Sequence, residues 1–191
     1  FCLSRGLGDV YKRQDIDGAV VNPRTVIPFA ENIKVDAVLQ LLPEKQPHEK
    51  TIVWSNWIED ILALKKALES AGESPVVFYG DSSFDDRLEA ERRFNEDPTC
   101  RWFIGNPAAG GAGLNLLGYP PENPEIQTNC THVVYMSQNW SMILREQSED
   151  RAHRRGTREP VRISEIVCPG TIDTIIAVSY THLRAHETGR N

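Results

Sequence analysis

The chain has 191 residues, enough for one domain with a packed core, and its 40% hydrophobic and 25% charged content is ordinary for a globular protein. A net charge of −6 excludes binding nucleic acid by bulk charge, no apolar run reaches the ~18 residues of a membrane span, and residues 1–14 lack the apolar centre of a secretory signal. Four scattered cysteines (Cys2, Cys100, Cys130, Cys168) form no C-x-x-C pair, which argues against zinc and fits reduced thiols in a cytoplasmic protein.

In chain order, Asp15–Ala30 is broken by Pro23 and Pro28 and predicts a loop with a strand pair. Asn32–Leu42 predicts a helix on Ile33, Val35, Val38, Leu39 and Leu42, and Pro43–Lys50 a polar linker. An alternation follows. Strands are expected at Thr51–Trp54, Val76–Tyr79, Arg101–Ile104, His132–Met136 and Val161–Val167. Helices are expected at Ile58–Ala71, closed by Gly72, at Phe84–Asn95, at Ser141–Arg154 and from Thr171 onward. Asn106–Gly118 reads as a Gly/Ala-rich turn entering a short helix, and the Pro/Asn-rich Gly118–Asn129 as a surface insertion. Strands separated by helices imply an α/β fold with a mostly parallel, doubly wound sheet. Functional residues are then expected beyond the C-terminal strand ends, where Trp54–Asn56, Gly80-Asp81, Asn106–Asn115 and Ser137–Trp140 fall.

The two ends have a separate character. Ser4–Gln14 (SRGLGDVYKRQ) and Val178–Thr188 (VSYTHLRAHET) resemble translations of one transposase-type sequencing adaptor, read in opposite orientations over about ten codons. Residues 1–14 and 178–191 are therefore expected to be artefacts of sequence assembly. They hold five basic residues (Arg5, Lys12, Arg13, Arg184, Arg190) and two acidic ones (Asp9, Glu187), which leaves 16 basic and 25 acidic residues, a net charge of −9. Nucleic-acid binding would then need a local basic surface, and Arg145, Arg151, Arg154, Arg155, Arg158 and Arg162 lie within eighteen positions.

The segment Gln147–Gly156 (QSEDRAHRRG) carries the strongest chemistry. On a continuous helix, Gln147, Asp150, Arg151 and Arg154 would share one face. Two readings stand side by side: a solvated helix laced by Arg145–Glu149 and Asp150–Arg154 pairs, or a guanidinium pair aimed at a phosphate. Phe103–Leu116 (FIGNPAAGGAGLNL) has the glycines of a turn that lets backbone approach a phosphate, or simply of a tight strand-to-helix turn. His132 reads as structural. Trp54, Trp57, Trp102 and Trp140 read mostly as packing residues, with Trp140 the candidate for stacking on a base.

QSEDRAHRRG resembles motif VI of the Swi/Snf-type superfamily 2 ATPases, Q-x-x-D-R-x-H-R-x-G, and matches all six fixed positions. Phe103–Leu116 resembles motif V with its G-x-G-L-N-L ending, and Thr51–Trp57 resembles motif IV. Tyr79-Gly80-Asp81, Arg87 and Phe94-Asn95 resemble the family's glycine turn and the helix ending in F-N. Where relatives carry Ser or Thr after the strand, this chain has Gly105-Asn106-Pro107, and where they carry W-N-P it has Asn139-Trp140-Ser141.

The resemblance implies a RecA-like second lobe over residues 51–177, with 15–50 an extension or linker toward a first lobe. It implies that Arg151 and Arg154 are arginine fingers on the γ-phosphate of ATP, that Gln147 contacts the nucleotide or the facing lobe, and that Asp150 orients the arginines. Gly111, Gly113 and Asn115 would link ATP state to the DNA backbone, with Gly80 and Asn106 also on nucleic acid. Magnesium would be held by the first lobe, and the partner would be double-stranded DNA. No G-x-x-x-x-G-K-[ST] and no D-E-x-H occurs in the sequence, so the chain alone is expected not to hydrolyse ATP. A strand-separating helicase on RNA or DNA and a non-catalytic protein-binding lobe are the alternatives.

Overall fold

The computed structural model describes residues 32–42, 46–80, 82–110, 113–123, 125–154 and 157–188, and the side chains of all of these but 110 and 181–188. Asp15–Ala30, the flank 1–14, Asp81, Gly111, Arg155 and Gly156 lie outside them.

The first helix, α1 (Ile33–Leu39), starts where the Asn32 side chain accepts the backbone N–H groups of Lys34 and Val35 at 3.2 and 3.3 Å. The same amide donates to Asp60 at 2.9 Å and so docks α1 on the next helix. Then come β1 (Glu49–Trp54), α2 (Ile58–Ser70), β2 (Val76–Phe78), α3 (Phe84–Glu96), β3 (Trp102–Gly105) and α4 (Pro107–Gly110). The chain continues through β4 (Asn129–Tyr135), α5 (Met142–Glu149), β5 (Arg162–Glu165) and α6 (Ile172–Thr188). The strands form one five-stranded sheet in the order β2-β3-β1-β4-β5, and every pairing is parallel. Both faces are covered, so the central strands read as continuous apolar runs. Ile52, Trp54, Phe103, Val133 and Tyr135 point to the face closed by Phe94 of α3, by Leu114 and Leu116 and by Ala152. Val53, Trp102, Ile104 and Val134 point to the face closed by α1 and α2 through Val35, Val38, Ile61, Leu64 and Leu68. This is a RecA-like α/β lobe.

α6 belongs to the second face at its start. Lys34 of α1 and Asp173 of α6 form a buried ion pair at 2.6 Å, across 139 positions of sequence.

Three expectations change. α5 ends at Glu149, not Arg154. The Arg151 carbonyl accepts from Leu116 N–H at 3.1 Å, a partner outside the helix, and the Thr157 hydroxyl donates to the Arg154 carbonyl at 2.6 Å. β4 begins at Asn129, earlier than His132, because Asn129 and Cys130 pair with Glu49 and Lys50 of β1, and Cys130 N–H also bonds the Leu117 carbonyl at 2.8 Å. That contact needs Gly118 at φ 78°, where an added Cβ would stand 2.6 Å from the backbone nitrogen of Cys130. The expected linker through Lys50 ends early, since Glu49 and Lys50 are already strand.

Lys50 is fully buried. Its ammonium donates to the Phe94 carbonyl and, at 2.9 Å, to the Asp97 carbonyl, and it lies 5.4 Å from the Phe94 ring centroid. It thereby satisfies carbonyls at the end of α3 that the helix leaves open. Burial lowers its pKa from 10.5 to about 8. Between those values the unfolded chain holds a proton that the folded chain has released, so this residue adds stability as pH rises from about 8 to 10.5. Urea midpoints for the native chain minus those for Lys50→Met should climb across that window and stay flat below pH 7; a difference that is flat throughout would contradict the assignment.

Candidate functional site

The candidate residues fall in two places. The first is the C-terminal edge of the sheet, where the loops after β1, β3 and β4 meet. Asn56 ties them. Its backbone N–H donates to Ser137 Oγ at 2.7 Å, its Nδ2 to the Gln138 carbonyl at 3.0 Å, and its Oδ1 accepts from Asn139 Nδ2 at 3.1 Å. Its carbonyl accepts from Asn106 Nδ2 at 3.2 Å, while Asn106 Oδ1 caps Ala108 N–H at 2.8 Å. Asn106 is thus committed to holding loops. Gly80 is exposed at the end of β2 on the same edge. Trp140 stands 58% exposed there, whereas Trp54 and Trp102 are fully buried in the core.

The second place is a flank below that edge. Between the segment after Gly113 and the end of α5 lies a cavity of about 550 Å³, lined by Asn115, Leu117, Pro121, Asp150, Arg151, His153 and Arg154. The chain reaches it by turning at Gly113, φ 81°, then running back along α3. There Glu91 accepts Asn115 N–H at 2.9 Å, and the Asn95 amide takes both the Asn115 carbonyl at 2.7 Å and Gly118 N–H at 2.9 Å. Arg151 is held by its own carbonyl on Leu116 and by its guanidinium, which donates to the Leu114 carbonyl at 3.4 Å. Arg154 is exposed, and its side chain bonds no other described residue.

The expected helical face therefore does not exist as drawn. Asp150, Arg151 and Arg154 come together at a helix end and the turn beyond it, and Gln147 stays exposed on α5 outside the cavity lining. The arginine cavity also lies away from the C-terminal strand ends, because Asn115 has already run back toward the start of β4. Nor do the five described arginines of the six make one basic surface. Arg145 is 7% exposed and pairs with Glu149 and Glu165; the Asp150–Arg154 pair does not form among the described residues. Arg158 stacks 3.8 Å from the Tyr119 ring and bonds the Ile126 carbonyl, fastening the Pro/Asn-rich loop. Arg162 donates to His132 Nδ1 at 3.2 Å, and His132 also bonds Ser164 at 2.8 Å, a structural role. Leu117, Pro121 and His153 had no assigned part in the sequence reading. Pro121 lies in the stretch read as an insertion, and only the D-R-x-H-R spacing pointed at His153.

This five-stranded, all-parallel sheet with helices on both faces, and with the Gly113 turn and the arginine turn opening on one flank cavity, has the architecture of a RecA-like ATPase lobe. The chain matches the helicase conserved C-terminal domain family over residues 33–156 and belongs to it. Within that family it is a lobe of the Swi/Snf-type superfamily 2 ATPases. It is 29% identical over 148 residues to an uncharacterised ATP-dependent helicase of Schizosaccharomyces pombe, covering 76% of this chain and 13% of that protein. It is 28% identical over 155 residues to the DNA repair protein RAD5 of Candida albicans, covering 77% and 13%. The crystal structure of the C-terminal part of the Fun30 ATPase domain superposes with a TM-score of 0.65 at 25% identity, covering 75% of this chain and 44% of that one. The chain thus spans about an eighth of the length of these curated relatives.

Asn56→Ala removes two side-chain bonds that join the β1 loop to the β4 loop. It should cost about 1–3 kcal/mol in urea unfolding. A loss below ~0.5 kcal/mol, within the range of ordinary surface changes, would show that the edge is held by other contacts.

Proposed function

We propose that this chain is the nucleotide-sensing half of an ATP-driven motor on double-stranded DNA, with the flank cavity receiving ATP phosphates presented by a first lobe. The joint lining of one cavity by Asn115, Asp150, Arg151 and Arg154 carries the reading. Arg154, exposed and unpaired among the described residues, is the guanidinium best placed to reach across a cleft to the γ-phosphate; Arg151, anchored by Leu114 and Leu116, lies behind it. Asp150 lines the same cavity and would bias the arginines electrostatically. Gln147 would meet the facing lobe, and Gly111 and Gly113 would let the turn move with ATP state. Magnesium would come with the first lobe's carboxylates. DNA would run along the C-terminal edge at Gly80, Asn106 and Trp140, where the exposed indole is suited to stack or wedge, with Asn115 meeting it from the cavity wall below that edge. Closing and reopening of the cleft would step the motor along a strand. RAD5 is a DNA repair protein by name, which agrees with a DNA substrate.

In the full-length protein carrying this lobe, Arg154→Ala should lower DNA-stimulated ATP turnover by about 10³-fold with duplex binding retained. The 191-residue chain alone should show no turnover. Turnover by the chain alone that disappears in Arg154→Ala would refute the division of labour between lobes.

We also propose that residues 178–191 derive from adaptor, although α6 runs through most of them and its Tyr180 donates to the Asn139 carbonyl and lies 5.6 Å from the Arg145 guanidinium. A chain ending at Ala177 should keep its cooperative unfolding and melt within a few degrees of the longer one. Loss of the transition would mean that these residues belong to the fold.

A further inference from the structure

Arg145 lies between the two places just described. Its guanidinium is stacked 3.4 Å from the Tyr135 ring centroid and is 7% exposed. From there it donates in three directions. Nε reaches Glu149 at 2.6 Å, Nη2 reaches Glu165 of β5 at 2.7 Å, and Nη1 reaches Gln138 Oε1 at 3.4 Å. Burial works against its charge, but Tyr135 and the two carboxylates outweigh that and raise its pKa.

Each partner leads somewhere. Glu149 is the last residue of α5, and its carbonyl accepts Ala152 and His153 N–H at 3.1 and 3.0 Å. Its side chain and main chain together set the angle at which Arg151 and Arg154 leave the helix. Gln138 is the other end. Its carbonyl accepts from Asn56, and Asn139 and Trp140 follow it directly on the edge. Glu165 pins the guanidinium to β5, which does not move relative to β4 because the two are paired in register. The carboxylate arms are short and the Gln138 arm is long, and Gln138 Nε2 is buried without a hydrogen-bond partner among the described residues. The edge-side arm is therefore the one with a better arrangement available to it.

We infer that Arg145 is a positioning residue that couples the Gln138–Trp140 edge to the Arg151–Arg154 turn. A duplex pressing on Trp140 shifts Gln138, the guanidinium follows it against the fixed Glu165, and Glu149 carries the shift into the turn. Lysine cannot replace it, because one ammonium on a flexible stem does not serve three planar directions while stacked on a ring. This rests on the reading of the cavity and edge given above.

The test is ATP turnover of the full-length protein with and without a blunt DNA duplex. Arg145→Lys should cut the ratio of stimulated to basal turnover by about tenfold, within the usual span of coupling between sites, with duplex affinity and the KM for ATP near their original values. Glu165→Gln should lower the same ratio and serves as the deciding variant if Arg145→Lys fails to unfold cooperatively in the 191-residue chain. An unchanged ratio in both variants, or equal losses in basal and stimulated rates, overturns the coupling role. If either result comes while Arg154→Ala still abolishes turnover, the cavity reading stands without it. If Arg154→Ala leaves turnover intact, the cavity reading itself falls and takes this inference with it.

Discussion

The Arg151 carbonyl accepts its hydrogen bond from Leu116, not from the next turn of α5, and the layout of the lobe follows from that choice. A helix continuing to Arg154 would stack Arg151 and Arg154 on one face of a cylinder, about one turn apart along its axis. Diverting one carbonyl stops the helix at Glu149 and lays the arginine turn against the glycine segment. Two stretches some thirty positions apart thereby become walls of the same cavity. The bond is available only because Leu114 and Leu116 are buried against the sheet face, which fixes the height of the backbone between them. Apolar burial sets the position, and a single backbone pairing converts it into a site.

That site has a supporting scaffold on α3. Glu91 and Asn95 hold the returning segment from the other side, so that Asn115 is fixed through its main chain on the cavity wall. The sheet edge is built differently. It is a web of short amides and hydroxyls around Asn56, with an exposed indole above it. One surface sets Asp150, Arg151 and Arg154 beside Asn115, Leu117 and Pro121, and the other is made of neutral polar groups and a ring.

The alternation of elements was legible because parallel strands covered on both faces leave continuous apolar runs such as Thr51–Trp54 and His132–Met136. The F-N ending of α3 was legible as a likeness, but not that Asn95 would use both ends of its amide on the glycine segment. Helix spacing failed at Arg151 and Arg154 for a definite reason: periodicity carries no information about a tertiary acceptor competing for a carbonyl. The charge count misled in the same manner. Six arginines close in sequence look like one basic surface, yet Arg145, Arg158 and Arg162 are spent on Glu149 and Glu165, on Tyr119 and on His132. Lys50 misled in the opposite direction, since a lysine beside a proline-bearing stretch reads as solvated linker and is in fact a helix-end cap inside the core.

The Lys34–Asp173 pair has a mechanical meaning. It joins the first helix to the start of the last one on the face of the sheet opposite the arginine turn. The first and last helices are therefore joined at one buried point, with the whole thickness of the sheet between that point and the cavity.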